Sequence, residues 1–359
     1  MYKFQKHELN SIHFLSIETP FELCRFLKTP LFELQEIMNA PVYENYIIKK
    51  KGGGSRRIFA PDYKLKILQK RLNYFLQAYY LCIKPAEVHG FVVNPRYLGA
   101  HCNIVANASI HTGKKHVLNI DLKDFFQSIS AKQIKNLFTS PYFNYNEHIA
   151  TALTLLTTYR AILPTGAATS PVLSNFICRN LDADLKIFCR ENGLHYTRYA
   201  DDLTFSSNEA ILQDNIQNII QLINKNGFKI NKKKMRLKSS NRKQTVTGLT
   251  VNEKVNVDRK LLKKIRAMLH DGTTNGIDEA AKHHFNLKNE PDYKLIALFV
   301  FRLKGYINFV GQVRGKNDCI YEKMKQSFDK QIKTKFNRYI WQQKIIMEKQ
   351  PVMRVWEEW

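Results

Sequence analysis

Within the first forty residues, apolar side chains recur at helical spacing in two blocks, each opened by a Thr-Pro pair. Thr19-Pro20 with Glu22 sets a cap, a first-turn proline and a capping-box acid in register. Thr29-Pro30 repeats the cap and proline before Leu31, Phe32, Leu34, Ile37 and Met38, so two short helices are predicted, the second ending before Pro41. From Tyr46 to Phe59 the pattern becomes two strand-like runs around a glycine-rich turn. A helix is predicted from Tyr63, with Leu65, Leu68, Leu72, Phe75 and Leu76 on one face.

The middle of the chain alternates between the two periods. His116 to Leu122 predicts a strand; Tyr145 to Tyr159 predicts a helix, and so does the stretch from Ser170-Pro171 to Gly193, with Val172, Leu173, Phe176, Ile177, Leu181 and Leu185 facing one way. Tyr196 to Ser206 reads as two strands about a tight turn, followed by a helix over 211–226 and a short strand over 245–251. Strands interleaved with helices, without a regular βαβ period, predict an α+β fold with an antiparallel sheet at its centre. Beyond Val255 the pattern is helical (258–270, 277–286, 292–308, 319–342) and predicts a separate helical domain.

Composition narrows the class. The 359 residues carry 56 Lys+Arg against 31 Asp+Glu, a net charge of +25, on a 44% hydrophobic, folding composition. Such an excess favours a polyanionic partner, because each phosphate contact releases counterions. Met1 to Leu15 lacks the apolar core of a secretory signal, and the longest purely apolar run, Leu295 to Phe301, is shorter than the ~18 residues of a membrane helix. The six cysteines are scattered without a C-x-x-C pair, which argues against zinc and for thiols in a reducing cytosol. A cytoplasmic protein with no membrane partner is expected. Trp341, Trp356 and Trp359 are the only tryptophans, all in the stretch 341–359, read as a packed helix or a docking segment.

The candidate chemistry centres on aspartates. Asp201 and Asp202 lie at the expected hairpin turn, flanked by the strand residues Tyr196, Leu203 and Phe205; adjacent carboxylates in a half-buried setting require an ion to neutralise them. Asp121 closes the strand Val117 to Ile120. Three aspartates from neighbouring strands can hold two Mg²⁺, hard cations that prefer oxygen ligands and leave room for substrate phosphates. The bland readings, a surface turn and a strand-terminal cap, stand beside this one.

Over residues 45–250 the sequence resembles the reverse transcriptases. The carriers, in family order, are Lys49-Lys-Lys-Gly-Gly-Gly-Ser-Arg-Arg57, Asp121-Leu-Lys-Asp-Phe-Phe126, Leu163-Pro-Thr-Gly-Ala-Ala-Thr-Ser-Pro171 and Tyr199-Ala-Asp-Asp202. The resemblance implies a right-hand polymerase fold, with fingers and palm over 1–252, a helical, RNA-binding thumb over 253–340 and a tail over 341–359. It implies RNA-templated DNA synthesis with Asp121, Asp201 and Asp202 as catalytic residues, and a metal set of Asp121, Leu122, Asp201 and Asp202 for two Mg²⁺. Lys49, Lys50 and Arg56 would grip the triphosphate of the dNTP, Phe126 would exclude a ribose 2′-hydroxyl, and Thr165 and Gly166 would lie beneath the nucleotide. The chain departs from the family at Thr165, commonly Gln, and at Ala168, frequently Pro.

Two shorter matches narrow the branch. Asn107-Ala-Ser-Ile-His111 and Val246-Thr247-Gly248 resemble the N-A-x-x-H and V-T-G signatures of retron reverse transcriptases. This implies a cognate structured non-coding RNA (msr–msd type) as partner, priming from a guanosine 2′-hydroxyl, a branched msDNA product, and an effector protein in anti-phage defence. The signature residues Asn107, His111, Val246, Thr247 and Gly248 are expected at the RNA, although His111 also reads as an ordinary histidine of core or surface. Nine basic and no acidic residues from Lys225 to Lys243, among them Lys232, Lys233, Lys234 and Arg236, read as an RNA backbone track. No room is expected for a maturase, RNase H or integrase domain. The rival readings are another defence-associated or group II-like reverse transcriptase, and a non-catalytic RNA-binding scaffold.

Overall fold

A computed structural model describes residues 5–49, 53–93 and 102–330. The chain forms two compact units, Met1–Thr247 with Val251–Glu253, and Gly248–Thr250 with the residues from Lys254 onward.

The first unit opens with α1 (Lys6–Leu15), α2 (Pro20–Leu27) and α3 (Leu31–Asn39). The capping box at Thr19 forms as its sequence requires, with Glu22 closing it. Thr29 does not cap α3; its hydroxyl donates to the Leu27 carbonyl and so closes the helix before it. A hairpin of β1 (Tyr43–Lys49) and β2 (Ser55–Pro61) leads into α4 (Tyr63–Ile83), capped by Asp62. Then follow α5 (Ile104–Ser109), β3 (His116–Asp121), α6 (Ala131–Thr139), α7 (Glu147–Thr157), α8 (Ser170–Ile177), α9 (Arg179–Glu191), β4 (His195–Tyr199), β5 (Asp202–Ser207), α10 (Gln213–Lys225), β6 (Arg236–Ser239) and β7 (Thr245–Val246).

The central sheet is antiparallel throughout, in the order β4-β5-β3-β6. Leu203 to Ser207 are all buried, so β5 is covered on both faces, and β3 buries Val117, Leu118 and Ile120 beside it. One helix expected from Ser170 to Gly193 is two: Cys178 ends α8 and starts α9. The capping box Ser130/Gln133 opens α6, a helix the apolar pattern did not predict. Part of the basic run is a strand, since Arg236 to Ser239 pair with β3 as its neighbour.

The second unit holds β8 (Leu249–Thr250), α11 (Arg259–Thr274), α12 (Ile277–Phe285), α13 (Tyr293–Arg314) and α14 (Cys319–Phe328). Among the described residues α13 alone is long and apolar enough, at 22 residues and mean hydropathy 1.2, to cross a membrane by length and composition. The purely apolar run fell short because Lys294, Arg302 and Lys304 interrupt it. Phe299, Val300, Leu303, Ile307 and Val310 of this helix are buried within the unit. The tail 341–359 lies outside the described residues.

Candidate active site

β3 ends at Asp121 and β5 begins at Asp202, and the sheet register sets these two residues directly opposite each other. Tyr199 pairs with Asp202, so β4 and β5 are joined by the two-residue loop Ala200-Asp201. Such loops need a positive φ, and Ala200 supplies it at +59°. The Leu122 N–H donates to the Asp201 carbonyl at 3.0 Å, which ties the loop to the end of β3. Three carboxylates from two strand ends thus meet at one edge of the sheet.

Their electrostatics follow from crowding. Burial raises Asp201 above the usual carboxylate range and the charge of Asp121 adds to it, while Arg56 and Lys234 pull the other way. Asp202 stands at the exposed rim, yet loss of water on its protein side, with the charges of Asp201 and Asp121, pushes it up to about 6. The Lys234 ammonium donates to Asp121 Oδ1 at 2.8 Å, and this bond raises the lysine. Lys234 is delivered there by the return of the chain after α10: Asn231 N–H donates to the Asp121 carbonyl at 2.8 Å. Among the described residues no three His, Cys, Asp or Glu side chains close into a finished metal cage. The donor set still fits hard divalent cations: oxygen ligands only, with Asp201 and Asp202 raised by crowding and Asp121 taking a lysine as counter-charge. Asp121, Asp201, Asp202 and the backbone at Leu122 are the groups that would hold them.

The remaining expected site residues divide sharply. Lys49 ends β1 opposite Ser55, and Arg56 follows on the same exposed hairpin, close enough to act on Asp201; Lys50 lies outside the described residues. Phe125 is a core residue packed on Phe228, whereas Phe126 is half-buried and stacks on Phe91 at 5.8 Å. Thr165 is buried; its hydroxyl accepts from Gln127 Nε2 at 2.9 Å and its carbonyl accepts from Phe59 N–H at 2.7 Å. Gly166 adopts φ +125°, and a Cβ there would lie 2.8 Å from the Phe59 carbonyl oxygen. The close approach that requires glycine is therefore to strand β2, a neighbour that the expectation of a place beneath the nucleotide did not name.

The residues expected at RNA need a larger correction. His111 is fully buried, its Nδ1 2.7 Å from Ser206 Oγ and its Nε2 2.7 Å from Thr197 Oγ1. The neutral imidazole donates at one nitrogen and accepts at the other, so it cross-links β4 and β5. Desolvation pulls it down to about 3, with neighbouring His195, His89 and Lys114 adding. Asn107 is buried on α5, and Val246 is buried too, so neither presents a surface to RNA. Thr247, at φ +46°, donates through its hydroxyl to the Ile104 carbonyl at 3.3 Å, which packs the second signature onto the helix of the first. Lys232, Lys233, Arg236 and Gly248 are exposed, as a contact surface requires, while Lys234 is turned to Asp121.

The sequence reading passed over Arg198, Asp182 and Asn175, fully buried together behind the aspartate hairpin. β4 buries Tyr196, Thr197 and Arg198 in succession, so no alternation along the strand marks the arginine as a core residue.

The profile of a family described as reverse transcriptase (RNA-dependent DNA polymerase) matches residues 48–251. Retron Ec86 reverse transcriptase from Escherichia coli is 36% identical over 233 residues, covering 64% of this chain and 69% of that one. Retron Mx65 reverse transcriptase from Myxococcus xanthus is 32% identical over 263 residues (68% and 59%), and Retron Mx162 reverse transcriptase from the same organism 31% over 276 residues (66% and 54%). The chain spans 59% of the Mx65 protein and 54% of the Mx162 protein, little more than half of each. Matched by the family profile over more than half its length, and by these relatives beside it, the chain belongs to the reverse transcriptase family, among the retron reverse transcriptases.

Proposed function

We propose that the chain is the RNA-directed DNA polymerase of a retron. It binds its own structured non-coding RNA, primes from the 2′-hydroxyl of a guanosine in that RNA, and copies part of it from dNTPs into msDNA that stays branched to the RNA. The observation that carries this reading is the placement of Asp121 opposite Asp202, with Asp201 in the loop between, at one edge of the central sheet. Two Mg²⁺ held there would supply Lewis acidity toward the attacking hydroxyl and the leaving pyrophosphate. The protein's own part is to orient. Arg56 and Lys49 present guanidinium and ammonium groups to the triphosphate from an exposed hairpin, and Arg suits phosphate oxygens in a bidentate way. Phe126, braced by Phe91 and Phe125, offers a ring edge against a ribose 2′-hydroxyl.

In this reading residues 1–252 supply fingers and palm and 253–340 the thumb, in a right-hand arrangement. α11 supports an RNA-binding thumb by exposing Arg259, Lys260, Lys263, Lys264 and Arg266 in succession. Lys232, Lys233 and Arg236 add phosphate contacts beside the active site. The complex would act in the bacterial cytosol, in anti-phage defence, by restraining a partner effector.

The test is to purify the protein from its native locus and treat the co-purifying nucleic acid separately with RNase, DNase and debranching enzyme. A short DNA whose mobility shifts on debranching is expected from wild type, and RNA without DNA from Asp201→Asn with Asp202→Asn. Linear DNA with a free 5′-end would remove the retron priming chemistry, and wild-type DNA from the double variant would remove the metal assignment.

A further inference from the structure

The aspartate loop is supported from beneath by a charge pair sealed from water. Arg198 and Asp182 both have fully buried side chains; Nε donates to Oδ1 at 2.8 Å and Nη2 to Oδ2 at 2.7 Å. Tyr196 donates its hydroxyl to the same carboxylate at 2.8 Å. The remaining arm of the guanidinium, Nη1, donates to Asn175 Oδ1 at 2.9 Å and to the carbonyl of Ala200 at 3.2 Å. Asn175 in turn donates to the Gly90 carbonyl at 3.0 Å, and Gly90 lies so close beneath the loop that a Cβ would sit 2.3 Å from the Ala200 nitrogen.

A buried ion pair of this kind is poor evidence of stability. Desolvating two charges offsets most of their attraction, and well-packed apolar replacements are often neutral or stabilising. An apolar pair cannot, however, hold a backbone carbonyl. Ala200 carries a positive φ, which hairpin loops ordinarily leave to Gly, Asn or Asp, and its carbonyl is the group that Arg198 grips. Asp201 and Asp202 follow immediately, so the direction of both carboxylates depends on that peptide.

We propose that Arg198, oriented by Asp182 and Asn175, is a positioning residue for DNA synthesis: it fixes the Ala200 peptide and thereby the aim of Asp201 and Asp202. The inference rests on the assignment of those aspartates to catalysis. Arg198 touches no substrate and acts through the loop.

The experiment compares full-length wild type with Arg198→Met/Asp182→Leu, an apolar pair, in primer extension on an RNA template. The expected result is a folded protein that retains RNA binding, its unfolding midpoint lowered modestly because the Tyr196 hydroxyl and Asn175 Oδ1 lose their partners. kcat falls about 100-fold, the scale of a reacting group misplaced by ~1 Å, while the dNTP KM changes little. Adding Ala200→Gly to this background recovers part of the kcat, because glycine takes the positive φ freely. A folded double variant with wild-type kcat would overturn the proposal. So would a loss in which kcat, KM and RNA binding decline together and Ala200→Gly restores nothing. Should the double variant not fold, Asn175→Ala leaves the ion pair in place and removes one partner of Nη1. It is expected to lower kcat about 10-fold at constant KM, roughly 1.4 kcal/mol in barrier, and wild-type kcat from it would count against the proposal. Asp201→Asn with Asp202→Asn runs in parallel: if that variant still makes DNA the catalytic assignment fails, whereas a dead aspartate variant beside a fully active Arg198 variant sinks the positioning role alone.

Discussion

Lowering the pH from 8 to 5 should destabilise the first unit in a way that one substitution removes. His111 is fully buried and bridges Thr197 and Ser206 as a neutral ring, with its pKa pulled down to about 3 from 6.5. The unfolded chain takes up a proton at this histidine below pH 6.5 and the folded chain does not until about pH 3. Its contribution is therefore complete above 6.5 and is lost as pH falls toward 3. At pH 5 the loss is about 2 kcal/mol, from ~1.4 kcal/mol per pH unit over the interval below 6.5. His89 is also pulled down by burial, to about 4, so the slope of wild type alone does not isolate His111. The comparison with His111→Gln does. Glutamine reaches one hydroxyl and leaves the other unpaired, costing roughly 1–3 kcal/mol at pH 7, but it carries no titrating ring. Urea midpoints measured from pH 8 to pH 5 should show the gap between the two proteins closing by about 2 kcal/mol as pH falls. Parallel curves would refute the buried, neutral bridge. RNA affinity of the folded variant at pH 7 should match wild type; a variant of unchanged stability that lost RNA binding would return His111 to the RNA surface.

Other substitutions test the site from different sides. Gly166→Ala forces a Cβ to within 2.8 Å of the Phe59 carbonyl at φ +125°; an expected loss of about 1–3 kcal/mol should appear as a lower unfolding midpoint, and an unchanged midpoint would refute the close approach. Lys234→Met removes a charge that lowers both Asp201 and Asp202, so the acid limb of the pH–rate profile should move to higher pH; a shift downward contradicts the geometry. The rise of Asp202 to about 6 makes protons competitors of the divalent cation, and the Mg²⁺ concentration for half-maximal synthesis should increase as pH drops through that value. Phe126→Ala should raise the ribonucleotide-to-deoxynucleotide incorporation ratio by about 10–200-fold, the range of one steric contact in a pocket, as read by extension with each nucleotide set.

Much of the site was legible because its signals are local. Asp121 at a strand end and Asp201-Asp202 at a turn between apolar strands needed only a period of two to be placed, and β3, β4 and β5 stand where that period put them. Of the adjacent rings, Phe125 is buried and Phe126 half-buried, a difference that the pair of letters in sequence does not display. What local pattern did not carry was direction. A short signature names residue types without saying which way they face, and the partners of His111 lie 86 and 95 residues away. Gly166 was read toward substrate because the neighbouring strand β2 is brought there only by tertiary contact. Arg198 escaped for the same reason: an arginine in a basic chain draws no notice until its carboxylate partner on α9 is seen.

The seam near residue 250 has a consequence for building chimaeras. The polypeptide leaves the first unit after Thr247, returns for Val251–Glu253, and leaves again at Lys254. During the return, Val251 accepts from Gly113 N–H at 3.0 Å and donates to the Gln244 carbonyl at 3.2 Å, while the Asn252 side chain donates to the Ser240 and Arg242 carbonyls at 2.9 and 2.8 Å. A splice between two relatives at 247 would thus tear out a stitch that belongs to the donor of the first unit. A splice after Glu253 preserves it but transfers Gly248–Thr250 with the wrong parent. Clean exchange of the C-terminal unit requires three junctions, after 247, 250 and 253, with 251–253 kept from one parent and 248–250 taken from the other.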